Sequence, residues 1–221
     1  HGGLVLNATI NKYAFTTISS TKGNPHFVSL DRDVDFVVKS EHQSNLPPEL
    51  RLHHGVYKRI LQDYNDNEPI NVKVSTYCDV PIGSGLGTSS TITVSLVKAF
   101  DEFLGLSLTD YQIAELAHKI EREDLGLFGG FQDHYAAAFG GVNYIEFHQS
   151  GDITVNSLRI NRRIISELEF SIILWFTGVS RDSGTIIEES LSELENHKSN
   201  AVERTHKIKE SVAPAKDALI K

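Results

Sequence analysis

Pro81-Ile82-Gly83-Ser84-Gly85-Leu86-Gly87-Thr88-Ser89-Ser90 is the stretch on which the reading of this chain turns. The alternating run Ile70, Val72, Val74, Thr76 and Cys78 precedes it and predicts a strand over 70–78. A run rich in β-branched residues, 88–104, follows and predicts a buried helix closed by Gly105. Glycines at 83, 85 and 87 let the main chain take positive φ and bring its N–H groups close to an anion. The helix behind them points its N-terminal dipole at the same place. The run therefore predicts a phosphate cradle for a nucleotide. It is not a Walker A loop, because Thr88 rather than a lysine follows Gly87. It does not fit G-x-G-x-x-G either, because its glycines alternate.

Outward from the loop, strand character runs over 4–20 and 27–40. A polar stretch ending in Pro47-Pro48 leads to a helix over 49–64, broken by Asn65-Asp66-Asn67-Glu68-Pro69. Beyond Gly105, Thr109 and Gln112 are spaced as a capping box for a helix whose apolar face is Ile113, Leu116, Ala117 and Ile120. Residues 125–135 read as a glycine-bearing loop. Paired strands are expected over 142–147 and 152–158. A second unit is expected from about residue 165, with a strand over 170–176 and helices over 184–196 and 200–220.

The chain has 221 residues, 40% hydrophobic and 23% charged, which is the make-up of a globular protein. Its net charge of −8 argues against nucleic acid or an anionic membrane as partner, so an anionic ligand must be held by local groups. A single cysteine, Cys78, allows no internal disulfide and fits a reducing cytoplasm. No apolar run is long enough for a membrane span. The absence of methionine and the strand-like start at Leu4-Val5-Leu6 read as a piece of a longer protein.

Three elements can share one site: the glycine loop with Ser89, Glu121 on the following helix, and Asp133 in Gly129-Gly130-Phe131-Gln132-Asp133-His134. Phosphoryl transfer needs amides around the phosphates, oxygen ligands for Mg²⁺, and a carboxylate to take or orient a hydroxyl proton. One hydroxyl and one carboxylate suffice for Mg²⁺, which keeps several waters, so a second carboxylate is left for the acceptor alcohol.

Pro81 to Ser90 resembles the second signature of the GHMP kinases, a proline followed by Gly-Leu-Gly-Ser-Ser, with Thr88 in place of the first serine. Ile120 to Glu123, Gly129 to Gly141, Leu6 to Ile10 and Phe176 to Arg181 resemble the heptose-kinase branch of that family, so the resemblance spans essentially the whole chain. It implies an α+β fold: an N-terminal domain with a left-handed βαβ crossover over 1–163, and the start of a ferredoxin-like C-terminal domain over 164–221. It implies ATP and Mg²⁺, with Pro81, Gly83, Ser84, Gly85, Leu86, Gly87, Thr88, Ser89 and Ser90 around the ATP phosphates. Ser89 and Glu121 would ligate the metal, and Asp133 would be the catalytic carboxylate. Gly130, Gln132 and Arg181 would meet a small sugar phosphate. The implied reaction is phosphorylation of the anomeric hydroxyl of a heptose 7-phosphate. The alternatives are another small-molecule kinase, of fucose or a different sugar, or a binding module without turnover. The family's first and third signatures would precede His1 and follow Lys221. His134 and Phe131 stand where the branch commonly has glutamine and lysine.

Plainer readings stand beside these. The glycine run can be a bare turn. Glu121 can be a helix-edge carboxylate paired with Arg122 or Lys119, and Asp133 can brace a loop. Arg181 can pair with Asp182. His134 reads as a hydrogen-bonding neighbour of the reactive carboxylate. His53-His54 reads as a surface pair. Tyr135 to Phe139 read as core, and 188–210 as a solvated helix face.

Overall fold

The structure is a computed structural model that describes residues 2–39, 45–81, 83–176, Ser192 and 199–221. The chain divides into two compact units, Asn11–Ala138 and His1–Ile10 with Phe139–Lys221.

The first unit holds a mixed sheet in the order β2-β5-β3-β4, made of Ala14–Ser20, Val72–Cys78, His26–Ser29 and Val34–Val37. β5 pairs antiparallel with β2, Ala14 opposite Cys78, and parallel with β3, Phe27 in register with Val74. Its alternation is as expected: Val72, Val74, Thr76 and Cys78 are buried, whereas Tyr77 is exposed. The strand character of 27–40 resolves into two short strands. A 3-10 turn over Leu30–Arg32 and a left-handed Asp33 (φ 53°) separate β3 from β4.

Helices α1 (Arg51–Tyr64), α2 (Thr88–Leu104) and α3 (Asp110–Lys119) belong to this unit. Each boundary has a local cause. Asp66 and Asn67 take left-handed φ after α1, and Gly105 does so (φ 67°) after α2. At α3 both halves of the capping box form: Gln112 N–H donates to Thr109 Oγ1, and Thr109 N–H donates to Gln112 Oε1 at 2.9 Å. The β-branched residues of α2 are buried as their composition suggested, with Ile92, Val94 and Val97 packed beside Phe100. Phe27, Ile60, Val74, Leu96 and Phe100 are fully buried in one cluster. Truncating such a side chain to alanine costs about 3 kcal/mol through lost transfer energy and the cavity left behind. His53 corrects the surface-pair reading. It is 2% exposed on the buried face of α1, and its Nε2 lies 2.9 Å from Thr76 Oγ1. Burial lowers its pKa to about 4.

The second unit holds an antiparallel sheet in the order β1-β6-β7, made of Gly3–Ala8, Val142–Phe147 and Ile153–Ser157. The expected hairpin is present, with Ile145 opposite Val155. Helix α6 (Ser199–Ile220) packs on β1, and Lys216 Nζ sits 4.4 Å from the centroid of the Tyr144 ring. The strand expected over 170–176 is not formed. Phe170 and Ser171 end helix α5 (Arg162–Ser171), and residues 172–176 have no regular structure. A strand needs a hydrogen-bonded neighbour, and among the described residues none pairs with this run. The helix expected over 184–196 and Arg181 lie outside the described residues, Ser192 excepted. Among the described residues no helix is long and apolar enough to cross a membrane.

Candidate active site

The loop after β5 takes the conformation its glycines permit. Gly83, Gly85 and Gly87 have φ of 71°, 76° and 67°. Gly87 caps α2, and among the described residues no side chain bonds the first N–H groups of that helix. Those groups form an open donor set at the positive end of a 17-residue helix, as an anion site requires. At Gly85 a Cβ would meet nothing within 4 Å, so backbone conformation alone asks for glycine there. At Gly87 space asks for it too: a Cβ would lie 3.1 Å from Asp133 Cγ. That close approach places the Asp133 carboxylate directly on the loop.

Glu121 reaches the same region by a different device. α3 does not stop at Lys119 but widens into a π turn over Ile120–Asp124, in which Leu125 N–H donates to Ile120 O at 3.0 Å. Such turns re-aim side chains and cluster at functional sites. This one is held to α1 in two ways. Arg59 Nε donates to Asp124 Oδ2 at 2.8 Å, and Leu125 packs where a Cβ on Gly55 would come within 2.9 Å. The result is a fully buried carboxylate. Ser89 Oγ donates to Glu121 Oε1. Ser90 Oγ donates to Oε2 at 2.8 Å, and His134 Nε2 lies 2.5 Å from the same oxygen. Arg122 Nη2 is 3.8 Å from it. Burial alone would raise the pKa of Glu121. The bonds from His134, Ser89 and Ser90, with the charge of His134, outweigh it and hold the carboxyl below its ordinary value.

The loop between the two carboxylates is pinned from below. Arg122 Nη1 donates to Leu127 O at 3.2 Å and to Phe128 O at 2.8 Å, and its guanidinium fills the space a Cβ on Gly129 would need. Next to it the His118 ring stacks on Phe131 at 3.8 Å, nearly parallel, and meets His134 edge-on at 5.3 Å. Burial, then His134 and Arg122, lowers the pKa of His118 to about 4. Helix α4 (Gln132–Phe139) begins here and carries Asp133 half-buried in its first turn.

Of the residues picked from the sequence, Gly83 to Ser90, Glu121 and Asp133 converge on one place. Ser90 points its hydroxyl inward at Glu121, which leaves its backbone N–H for the loop. Pro81, Gly130 and Gln132 are exposed along the chain on either side. Sequence reasoning missed the His134–Glu121 pair, the Arg122 pin and the His118–Phe131 stack. No local spacing signals them, because each depends on the π turn. His134 serves Glu121 rather than the neighbouring Asp133. The donor set suits Mg²⁺. Ser89 and Glu121 Oε1 place two hard oxygens side by side, and among the described residues no cluster of three or more His, Cys, Asp or Glu forms an all-protein cage.

Residues 51–141 match the family of GHMP kinases N terminal domain. Residues 51–141, which hold the glycine loop opening α2 and both carboxylates, thus carry the N-terminal domain of the GHMP kinases. Within that class the chain is 42% identical to the D-glycero-alpha-D-manno-heptose 7-phosphate kinase of Campylobacter jejuni, over 99% of this chain and 64% of that protein. A crystal structure of a D-glycero-D-manno-heptose 1-phosphate kinase from Bacteroides thetaiotaomicron superposes with a TM-score of 0.84 at 44% identity, over 99% of this chain and 65% of that one. The galactokinase of Thermotoga maritima is further away, 26% identical over 66% of this chain and 40% of its own length. The chain thus spans just under two thirds of the heptose kinases it matches.

Proposed function

We propose that this chain is the greater part of an ATP-dependent sugar kinase. The kinase phosphorylates the anomeric hydroxyl of D-glycero-D-manno-heptose 7-phosphate in the cytoplasm. The reading rests on one observation above others: Asp133 packs against Gly87 of the phosphate loop while Ser89 of the same loop bonds Glu121. Donors for phosphate, oxygens for a cation and a separate carboxylate lie together. The likeness to the two heptose kinases supports the choice of acceptor. Residues 1–163 are read as the N-terminal domain and 164–221 as the start of a C-terminal one.

In this mechanism the main-chain N–H groups from Gly83 to Ser90 hold the triphosphate, oriented by the α2 dipole. Ser89 and Glu121 would hold Mg²⁺, which when bound neutralises charge on the phosphates. The sugar hydroxyl oxygen bonds to the γ-phosphorus as the bond to the β–γ bridging oxygen breaks, and Asp133 takes the hydroxyl proton. Gly130 and Gln132, next to Asp133, would meet the sugar, and Arg181 its 7-phosphate.

The test is a substrate panel on the full-length protein with ATP: heptose 7-phosphate, fucose, galactose and a non-sugar alcohol, with products identified by phosphorus NMR. Heptose 1,7-bisphosphate as the preferred product is expected. A preference for another acceptor would overturn the substrate, and nucleotide binding without any phosphorylated product would overturn the reaction.

A further inference from the structure

His134 is fully buried, and its Nε2 lies 2.5 Å from Glu121 Oε2. A carboxylate oxygen only accepts, so the ring nitrogen donates. The other ring nitrogen, Nδ1, is buried without a hydrogen-bond partner among the described residues. A buried histidine kept only for packing would be expected to satisfy both ends or be replaced by an apolar residue. Among the described residues the sole polar link of the ring is the one to Glu121.

That link has a geometric consequence. The terminal torsion of a glutamate is soft, so the two oxygens of a free carboxylate exchange places easily. The groups that face Glu121 are Ser89 on Oε1 and Ser90, His134 and Arg122 on Oε2. A serine hydroxyl can follow a rotating carboxylate. The His134 ring cannot, because it is enclosed and braced edge-on by His118. We propose that His134 is a positioning residue that occupies Glu121 Oε2 and so leaves Oε1, beside Ser89, as the oxygen offered to a bound cation. The inference rests on the reading of Glu121 as a cation ligand. Partners that orient a metal ligand in this way are worth about 10- to 100-fold in metal affinity when removed.

The experiment uses the full-length protein saturated with a non-hydrolysable ATP analogue, with Mn²⁺ as probe and free Mn²⁺ read by electron paramagnetic resonance. H134L, which keeps bulk and loses the donor, is expected to weaken Mn²⁺ binding about 10- to 100-fold. H134Q, whose amide N–H can donate along the same path, is expected to stay near the parent. Affinity for the metal-free analogue should not move in either variant. H134N, polar but too short to reach, takes the place of H134L if that variant does not fold. Parent-like Mn²⁺ affinity in H134L or H134N, or a loss in H134Q equal to theirs, overturns the proposal. E121Q is the separate control: parent-like Mn²⁺ affinity there would remove Glu121 as a ligand and the metal part of the functional reading with it.

Discussion

The π turn at Glu121 and the helix start at Asp133 hold their carboxylates in opposite ways. Glu121 is sealed from solvent and bonded at both oxygens by Ser89, Ser90 and His134. Asp133 is half-buried at the end of an exposed loop and leans on a glycine. A carboxylate anchored in this way stays charged and stationary, which suits a fixed counter-charge. One half-buried beside a loop stays within reach of a molecule arriving from solvent. The acidity of Glu121 is thus set by what surrounds it.

The sharpest way to break that contrast is Asp133→Asn. In the full-length kinase kcat should fall about 10³-fold, with nucleotide affinity and the urea midpoint nearly unchanged. A near-normal kcat would remove Asp133 from the chemistry. Glu121→Leu should show the reverse balance. It strands the Ser90 hydroxyl and His134 in the interior, so equilibrium unfolding should lose about 3 kcal/mol of stability. A change below 1 kcal/mol would mean that the buried network contributes little to folding.

Acid titration sharpens the comparison by sign. The folded pKa of His53 lies at about 4, below its ordinary 6.5, so the fold resists protonating it. Its contribution is complete above pH 6.5 and is lost as pH falls toward 4. The contribution of Glu121 is present above the unfolded carboxylate value and goes only as pH falls through its lower folded value. Acidification should therefore destabilise in two stages, His53 first. Between pH 7 and pH 5, the loss measured by urea unfolding should be smaller in His53→Gln by about 2 kcal/mol. Equal pH slopes in parent and variant would refute the assignment. The smallest effect is expected from Gly87→Ala. A left-handed φ at a residue with a Cβ costs about 1 kcal/mol, and the methyl group would push Asp133 off the loop. The drop in kcat should be smaller than in Asp133→Asn, with nucleotide binding weakened as well, which Asp133→Asn should not do.

What could be read from the sequence was whatever neighbours a few residues apart determine. The glycine loop, the Gly105 stop, the Thr109–Gln112 box and the alternation of β5 all belong to that class. Glu121 and Asp133 could be picked out, but not the way each is held. The burial of Glu121 depends on a π turn that no residue pattern announces and on His134 arriving from α4. His53 was misread because its burial comes from Thr76, on a strand a helix away in sequence. Residues 170–176 were misread because a short continuous apolar run fits a strand or a helix end equally well. Phe170 is 92% exposed and Trp175 81% exposed among the described residues, so composition alone does not say what an apolar side chain packs against.

The Arg122 pin bears on how such a site can change over generations. Its guanidinium grips main-chain carbonyls at Leu127 and Phe128, not their side chains. Gly129, whose missing Cβ makes room for it, and Gly126, at a φ of 61°, need glycine, and Leu127 packs against the core. Phe128, whose side chain is exposed, can therefore vary without loosening the grip on its carbonyl. Sequence can drift there while the main chain stays where it is.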